Sequence, residues 1–144
     1  VVGTMYLQVQ TFEWAMLLPA TTMGCFSVAV LNLNNMRDRE NDQKVGKNTL
    51  AVKLGFEKSK IYHVVLFLVA YFVFPLLYLY ETIFISASYI YLIPIVPVAL
   101  IHFLHVGRVI GTKEPKDFDP ELKKVALSAF LFGLLFLLTA LIFH

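Results

Sequence analysis

Charge is scarce in this sequence: Asp, Glu, Lys and Arg make up 15% of 144 residues, where a soluble domain carries about 25%. Cysteine is scarcer still. The single Cys25 excludes an intramolecular disulfide and says little about compartment. Charge is also missing from whole stretches of chain. Residues 61–80, 83–106 and 125–143 are nearly unbroken apolar runs without Asp, Glu, Lys or Arg. Each is close to the roughly 20 residues with which a helix crosses about 30 Å of hydrocarbon. A fourth charge-free run, 14–33, is interrupted by Pro19, Thr21, Thr22, Gly24 and Ser27, small and hydroxylated residues that membrane bundles tolerate at helix contacts. Hydrophobic residues reach 58% and the mean hydropathy is +0.72. The expected fold class is therefore all-α: a polytopic transmembrane helix bundle of about four spanning helices. Residues 1–12 read as the tail of a fifth, so the chain is expected to be the C-terminal part of a longer single domain whose N-terminal helices lie upstream.

What charge there is has a pattern. All 12 Lys and Arg residues fall in two segments, seven between Arg37 and Lys60 and five between Arg108 and Lys124. Between the second and third runs the only charge is Glu81, flanked by Tyr78, Tyr80, Tyr89 and Tyr91. Basic loops stay on the cytoplasmic side and aromatic residues gather at the interfaces. Loops 34–60 and 107–124 are thus expected in the cytoplasm of a multi-pass protein of the cell (inner) membrane, with Glu81, Tyr6 and Trp14 near the outer boundary. Topology accounts for the net charge of +2. No nucleic-acid partner is indicated, because no basic groove with interleaved aromatics appears.

Chemistry concentrates between Asn32 and Gly55. With a helix running to just before Gly46, a C-terminal stop, Asn34, Asp38 and Asp42 form one i, i+4, i+8 row. Asn35 and Asn41 flank it and Glu40 points away. Carboxylate and amide oxygens are the hard ligands that Mg²⁺ prefers, completed by waters and substrate phosphates. Arg37, Arg39, Lys44 and Lys47 stand nearby as phosphate partners. On spacing alone the plainer reading is favoured: D-x-x-x-D among basic residues is common on solvated helices. His102 and His105, one turn from Arg108, read as shallow residues snorkelling to the interface, and Pro94 and Pro97 as a kink.

The string Asn34-Asn35-x-Arg37-Asp38-x-x-x-Asp42-x-x-x-Gly46-Lys47-x-Thr49-Leu50-Ala51-Val52-x-Leu54-Gly55 resembles the second aspartate-rich motif of the UbiA superfamily of intramembrane prenyltransferases. It is most similar to the members that prenylate 1,4-dihydroxy-2-naphthoate in menaquinone synthesis. Gly3-Thr4, Tyr6-Leu7-Gln8, Phe118-Asp119-Pro120 and Leu122-Lys123 extend the likeness along nearly the whole chain. The resemblance implies a nine-helix bundle, of which this chain covers the end of the fifth helix to the ninth. It also implies a first aspartate-rich loop upstream that faces this one across Mg²⁺ and polyprenyl diphosphate. Asp38 and Asp42 would then be catalytic metal ligands, with Arg37, Lys47, Asn34 and Asn35 on the diphosphate. The implied reaction moves the polyprenyl group to 1,4-dihydroxy-2-naphthoate with decarboxylation, giving demethylmenaquinone, and this piece alone is expected to be inactive. Its partners would be the two substrates, the lipid bilayer and its own N-terminal helices. Two other readings stand beside it: a UbiA-type enzyme with another aromatic acceptor, and a transporter fragment whose mixed-charge loop is only a topology signal.

Overall fold

The computed structural model describes residues 1–84 and 95–143, and every regular element among them is helical. In chain order these are α1 (Val2–Val9), a 3-10 turn (Trp14–Met16), α2 (Leu17–Lys44), α3 (Leu50–Leu54), α4 (Phe56–Phe84), α5 (Ile95–Gly111), a second 3-10 turn (Pro115–Phe118) and α6 (Asp119–Phe143). Pro19 lies in the first turn of α2, where no backbone N–H is needed for the ladder, and Pro97 lies in α5. Pro94 lies outside the described residues.

Two glycines shape the polar connection. Gly46 sits at φ +74° just past α2, a left-handed position that suits a residue without Cβ. There the Gly46 N–H returns to Gln43 O at 3.2 Å and the Lys47 N–H to Asp42 O at 2.8 Å, the paired bonds of a Schellman stop. Thr49 caps α3 by accepting from the Val52 N–H at 3.3 Å. Gly55, at φ +81° and ψ 170°, occupies a conformation open essentially to glycine alone and turns the chain into α4.

The long helices pack through stripes at helical spacing. α2 buries Phe26, Ala29, Leu33 and Met36; α4 buries Phe67, Ala70 and Phe74; α5 adds Val98 and Val109, and α6 adds Val125 and Phe132. These residues form one core, and Phe26 meets Phe67 and Phe132 at 5.9 and 5.6 Å between ring centroids. The same stripes carry buried polar groups: Asn32, Ser59, His63, His102, His105, Glu121 and Ser128. The outward faces are apolar, with Phe72, Phe103, Phe130 and Leu141 exposed by 69–76%. Polar residues inside and bulky apolar ones outside suit surroundings of hydrocarbon, where side chains gain little by hiding from the solvent and polar groups must find partners within the bundle. Leu17–Lys44 and Pro115–Thr139 are long and apolar enough to cross a bilayer, and Ile95–Gly111 is a shorter apolar helix.

The expected runs meet these helices unevenly. Run 61–80 lies within α4, 125–143 within α6, and 14–33 in the first 3-10 turn and α2. Run 83–106 is described only in part. Ile83 and Phe84 finish α4, residues 85–94 lie outside the described residues, and α5 begins at Ile95. Glu81, expected in a connection, lies in the last turn of α4, because Glu-Thr-Ile-Phe contains no Gly or Pro to stop the helix.

Candidate functional site: the polar end of α2

α2 changes character along its length. Its apolar part ends near Leu33, and the helix continues as the polar extension 34–44 with no break in its hydrogen bonds. The extension carries the expected site residues and divides them into two groups.

Arg37 organises the first. Its Nε and Nη2 donate to the two carboxylate oxygens of Asp38 at 2.8 and 2.9 Å, and Nη2 also donates to Asn34 Oδ1 at 2.8 Å. The remaining fork, Nη1, donates to Asp119 Oδ1 at 2.9 Å. Charge-assisted, forked bonds of this kind fix a guanidinium in place as well as attract it. The Arg37 guanidinium holds the Asp38 carboxyl below its ordinary range, and Asp38 and Asp119 together hold Arg37 in its charged form. Asp38 remains 37% exposed at its side chain, so an incoming ligand can reach it.

Lys47 and Asp42 form the second group. Lys47 Nζ donates to the Asp42 oxygens at 3.1 and 3.2 Å. The pair is lopsided: the Asp42 side chain is 7% exposed and that of Lys47 58%. The Schellman turn explains the pairing, since the same left-handed Gly46 that returns the Lys47 N–H to Asp42 O brings the lysine side chain back over that residue. Asn35 is half-buried, and Glu40 and Asn41 are exposed. Among the described residues Asn35 makes no side-chain hydrogen bond to either group.

The sequence does not mark Asp119 as a site residue. It opens α6, 82 positions along the chain from Arg37. Beside it Phe118 is fully buried and packs on Phe56 with ring centroids 5.7 Å apart. Those two contacts join loops 34–60 and 107–124 at one end of the bundle. The Phe-Asp-Pro string was the available signal, but nothing local to it indicates Arg37.

The histidines need correction. His102 and His105 do not snorkel: they are 1% and 0% exposed, and His63 is 0% exposed. The buried stripe of α5 runs Val98, His102, His105, Val109, so both rings face the neighbouring helices. His102 Nδ1 meets Tyr71 Oη at 2.7 Å and its Nε2 meets Ser128 Oγ at 2.6 Å. His105 Nδ1 meets Glu121 Oε2 at 2.7 Å and its Nε2 meets His63 Nε2 at 2.8 Å. The i, i+3 spacing of His102 and His105 was visible, but their partners on other helices were not.

Among the described residues no three His, Cys, Asp or Glu side chains converge as a metal cage. The donors at the end of α2 nevertheless fit a divalent ion of the Mg²⁺ type, which typically takes one or two carboxylates and keeps waters and phosphate oxygens for the rest. Asp38 and Asp42 would supply the carboxylates, and both are ion-paired, to Arg37 and to Lys47.

Comparison with known proteins gives the family. The model of the UbiA prenyltransferase family matches residues 1–119. The chain belongs to the UbiA prenyltransferase family. A 1,4-dihydroxy-2-naphthoate octaprenyltransferase of Haemophilus influenzae is 36% identical over 97% of this chain. The protein of the same name from Escherichia coli is 49% identical over 44% of the chain, and that from Mycobacterium tuberculosis 39% over 42%. The chain spans 44% of the length of the Haemophilus relative. No solved structure matches significantly.

Proposed function

We propose that this chain is one half of a membrane-embedded prenyltransferase that moves a polyprenyl group from its diphosphate to 1,4-dihydroxy-2-naphthoate, with loss of the carboxylate as CO₂, giving demethylmenaquinol, the reduced form of demethylmenaquinone. The observation that carries the reading is the pair of aspartates at the end of α2, each held by a cation, within a chain of the UbiA family. The relatives' shared name supplies the acceptor.

Asp38 and Asp42 would hold Mg²⁺, which when bound supplies positive charge against the leaving diphosphate. Lys47, exposed and on a flexible stem, swings from Asp42 to a diphosphate oxygen. Arg37 exchanges Asp38 for a diphosphate oxygen at its Nε–Nη2 fork, while Asn34 and Asp119 keep the guanidinium oriented. Asn35 offers an amide to the same diphosphate. As the allylic C–O bond breaks, its electron pair leaves with the diphosphate, and cations already in place stabilise that charge without reorganising. The ring carbon of the acceptor then gives its electron pair to the allylic carbon, and the carboxylate departs as CO₂. Apolar helices exclude water, which would otherwise capture the carbocation. An upstream aspartate-rich loop completes the clamp.

The orientation belongs to the same proposal. The loops joined by Arg37 and Asp119 face the cytoplasm of a multi-pass inner-membrane protein, because they contain all of the chain's Lys and Arg. Family membership weighs against the transporter reading. A different aromatic acceptor is decided by assay. Full-length protein in membranes receives polyprenyl diphosphate, Mg²⁺ and one of three acceptors: dihydroxynaphthoate, 4-hydroxybenzoate or homogentisate. Turnover is expected with dihydroxynaphthoate, and a preference for either other ring would overturn the assignment.

A further inference from the structure

Among the described residues two chains of hydrogen bonds cross the bundle, and they differ in how they end. The first, Tyr71–His102–Ser128, is closed. Ser128 Oγ donates to Val125 O at 3.0 Å, so it accepts from His102 Nε2–H. That leaves His102 Nδ1 to accept from the Tyr71 hydroxyl, and both ring nitrogens are satisfied. Such a chain joins α4, α5 and α6.

The second chain is open. Glu121 accepts at Oε2 from His105 Nδ1–H and at Oε1 from Lys124 and Arg108. Its orientation follows, because a carboxylate only accepts. With His105 neutral, Nε2 carries a lone pair and accepts from His63 Nε2–H. The far nitrogen, His63 Nδ1, is then an acceptor, and it is buried without a partner among the described residues. Buried acceptors are rarely left unpaired without a reason. Ser59, one turn before His63 on the buried face of α4, accepts at its backbone O from Asn32 Nδ2 at 3.0 Å, and Asn32 Oδ1 is also buried without a partner. The open end therefore lies one turn of α4 from the contact with the helix that carries Asp38 and Asp42. The other end reaches the basic rim, where Arg108 and Lys124 side chains are 53% and 43% exposed.

We propose that His63, His105 and Glu121 form a proton relay, which takes a proton from the hydroxyl of the aromatic acceptor at His63 Nδ1 and passes it to Glu121 at the basic rim. The proposal rests on the prenyl-transfer reading and deepens it. A naphthol attacks a carbocation best as its oxygen becomes anionic. As the ring C–C bond forms, the O–H bond breaks and a C=O bond forms. The proton joins His63 Nδ1, the His63 Nε2 proton moves to His105 Nε2, and the His105 Nδ1 proton moves to Glu121 Oε2. When CO₂ leaves, its electron pair returns to the ring and restores the naphtholate oxygen, which recovers the proton by the reverse path. Each imidazole gives up one proton as it gains one, a transfer for which two ring nitrogens are required.

Chemical rescue in the full-length enzyme tests this. His105→Gly and His63→Gly each leave a ring-sized gap, and turnover is expected to fall at least tenfold with the KM for prenyl diphosphate unchanged. Imidazole should restore it. 1-Methylimidazole fills the same gap with one nitrogen blocked and should not. Restoration by both compounds, restoration by neither, or parental turnover in the variants overturns the relay. His105→Gln keeps a hydrogen-bonding side chain in place should the glycine variants fail to fold. It should show the same fall in kcat, and a parental kcat overturns the relay. A parent enzyme without turnover overturns the prenyl-transfer reading, and the relay with it. A parent that turns over beside variants that match it overturns the relay alone.

Discussion

At the scale of single residues, Asp38 and Asp42 differ in their surroundings but not in their expected importance. Replacing either with Ala in the full-length protein should abolish Mg²⁺-dependent prenyl transfer while membrane insertion persists. Glu40→Ala should change turnover by less than about twofold, because Glu40 is exposed on the helix between them and surface substitutions of this kind usually shift little. Turnover in isolated membranes checks this, and equal damage from Glu40→Ala would dismiss the ligand row. Asp38 also has a pH signature. Its carboxyl is held below the ordinary value of 3.8 by Arg37, so the folded state binds its proton less readily than the unfolded state. The stabilisation is complete above that ordinary value and is lost as pH falls through the lowered one. Thermal unfolding of the parent should become more acid-sensitive below about pH 4 than that of Asp38→Asn, by a small margin because the pair is partly exposed. Identical profiles would show that the Arg37–Asp38 pair contributes nothing to stability.

At the scale of elements, the stop of α2 and the clamp depend on one another. A Cβ at Gly46 would meet open space, yet its φ of +74° disfavours any other residue. Gly46→Ala should cost about 1 kcal/mol and draw Lys47 away from Asp42, raising the KM for prenyl diphosphate more than it lowers stability. Gly24→Ala is the control. It also meets open space, lies inside α2 at an ordinary φ, and should be neutral or slightly stabilising. Steady-state kinetics and thermal unfolding of both variants distinguish a conformational effect from a loss of packing. The placement of the helices in the membrane has its own test. In a Cys25→Ser background, a cysteine at Glu81 should be labelled from outside intact cells, while one at Glu40 or Lys113 should not. Outside labelling at Glu40 would reverse the orientation.

At the scale of the whole molecule, the proposed mechanism makes this chain one side of a clamp. The end of α2 presents two carboxylates and two cations on one side only, and Mg²⁺ gives up its waters reluctantly. Residues 1–144 purified in lipid or detergent should therefore show no prenyl transfer under conditions in which the full-length enzyme turns over. Co-expression with the upstream helices is expected to return part of the activity. Robust turnover by 1–144 alone would show that a facing aspartate-rich loop is not required.

Hydropathy runs and the motif from Asn34 to Gly55 made the helical class and the family legible from the sequence. Those signals are local or periodic, and hydrocarbon thickness and helix geometry translate them directly into elements. Gly46 marked the end of α2 for the same reason: a left-handed stop is a property of one residue and its neighbours. The placement of Glu81 within α4 was not legible, because hydropathy marks a charged residue as a break while the helix continues through it. Nor were the partners of the buried groups. Arg37 meets Asp119 across 82 positions and His63 meets His105 across 42, separations that no helical period encodes. Only packing placed the α5 stripe against α4 and α6, and so turned His102 and His105 from apparent interface residues into the centre of the bundle. In hydrocarbon a buried polar group finds its hydrogen bond on another helix or goes without one, and which helix it finds is decided by the tertiary structure alone.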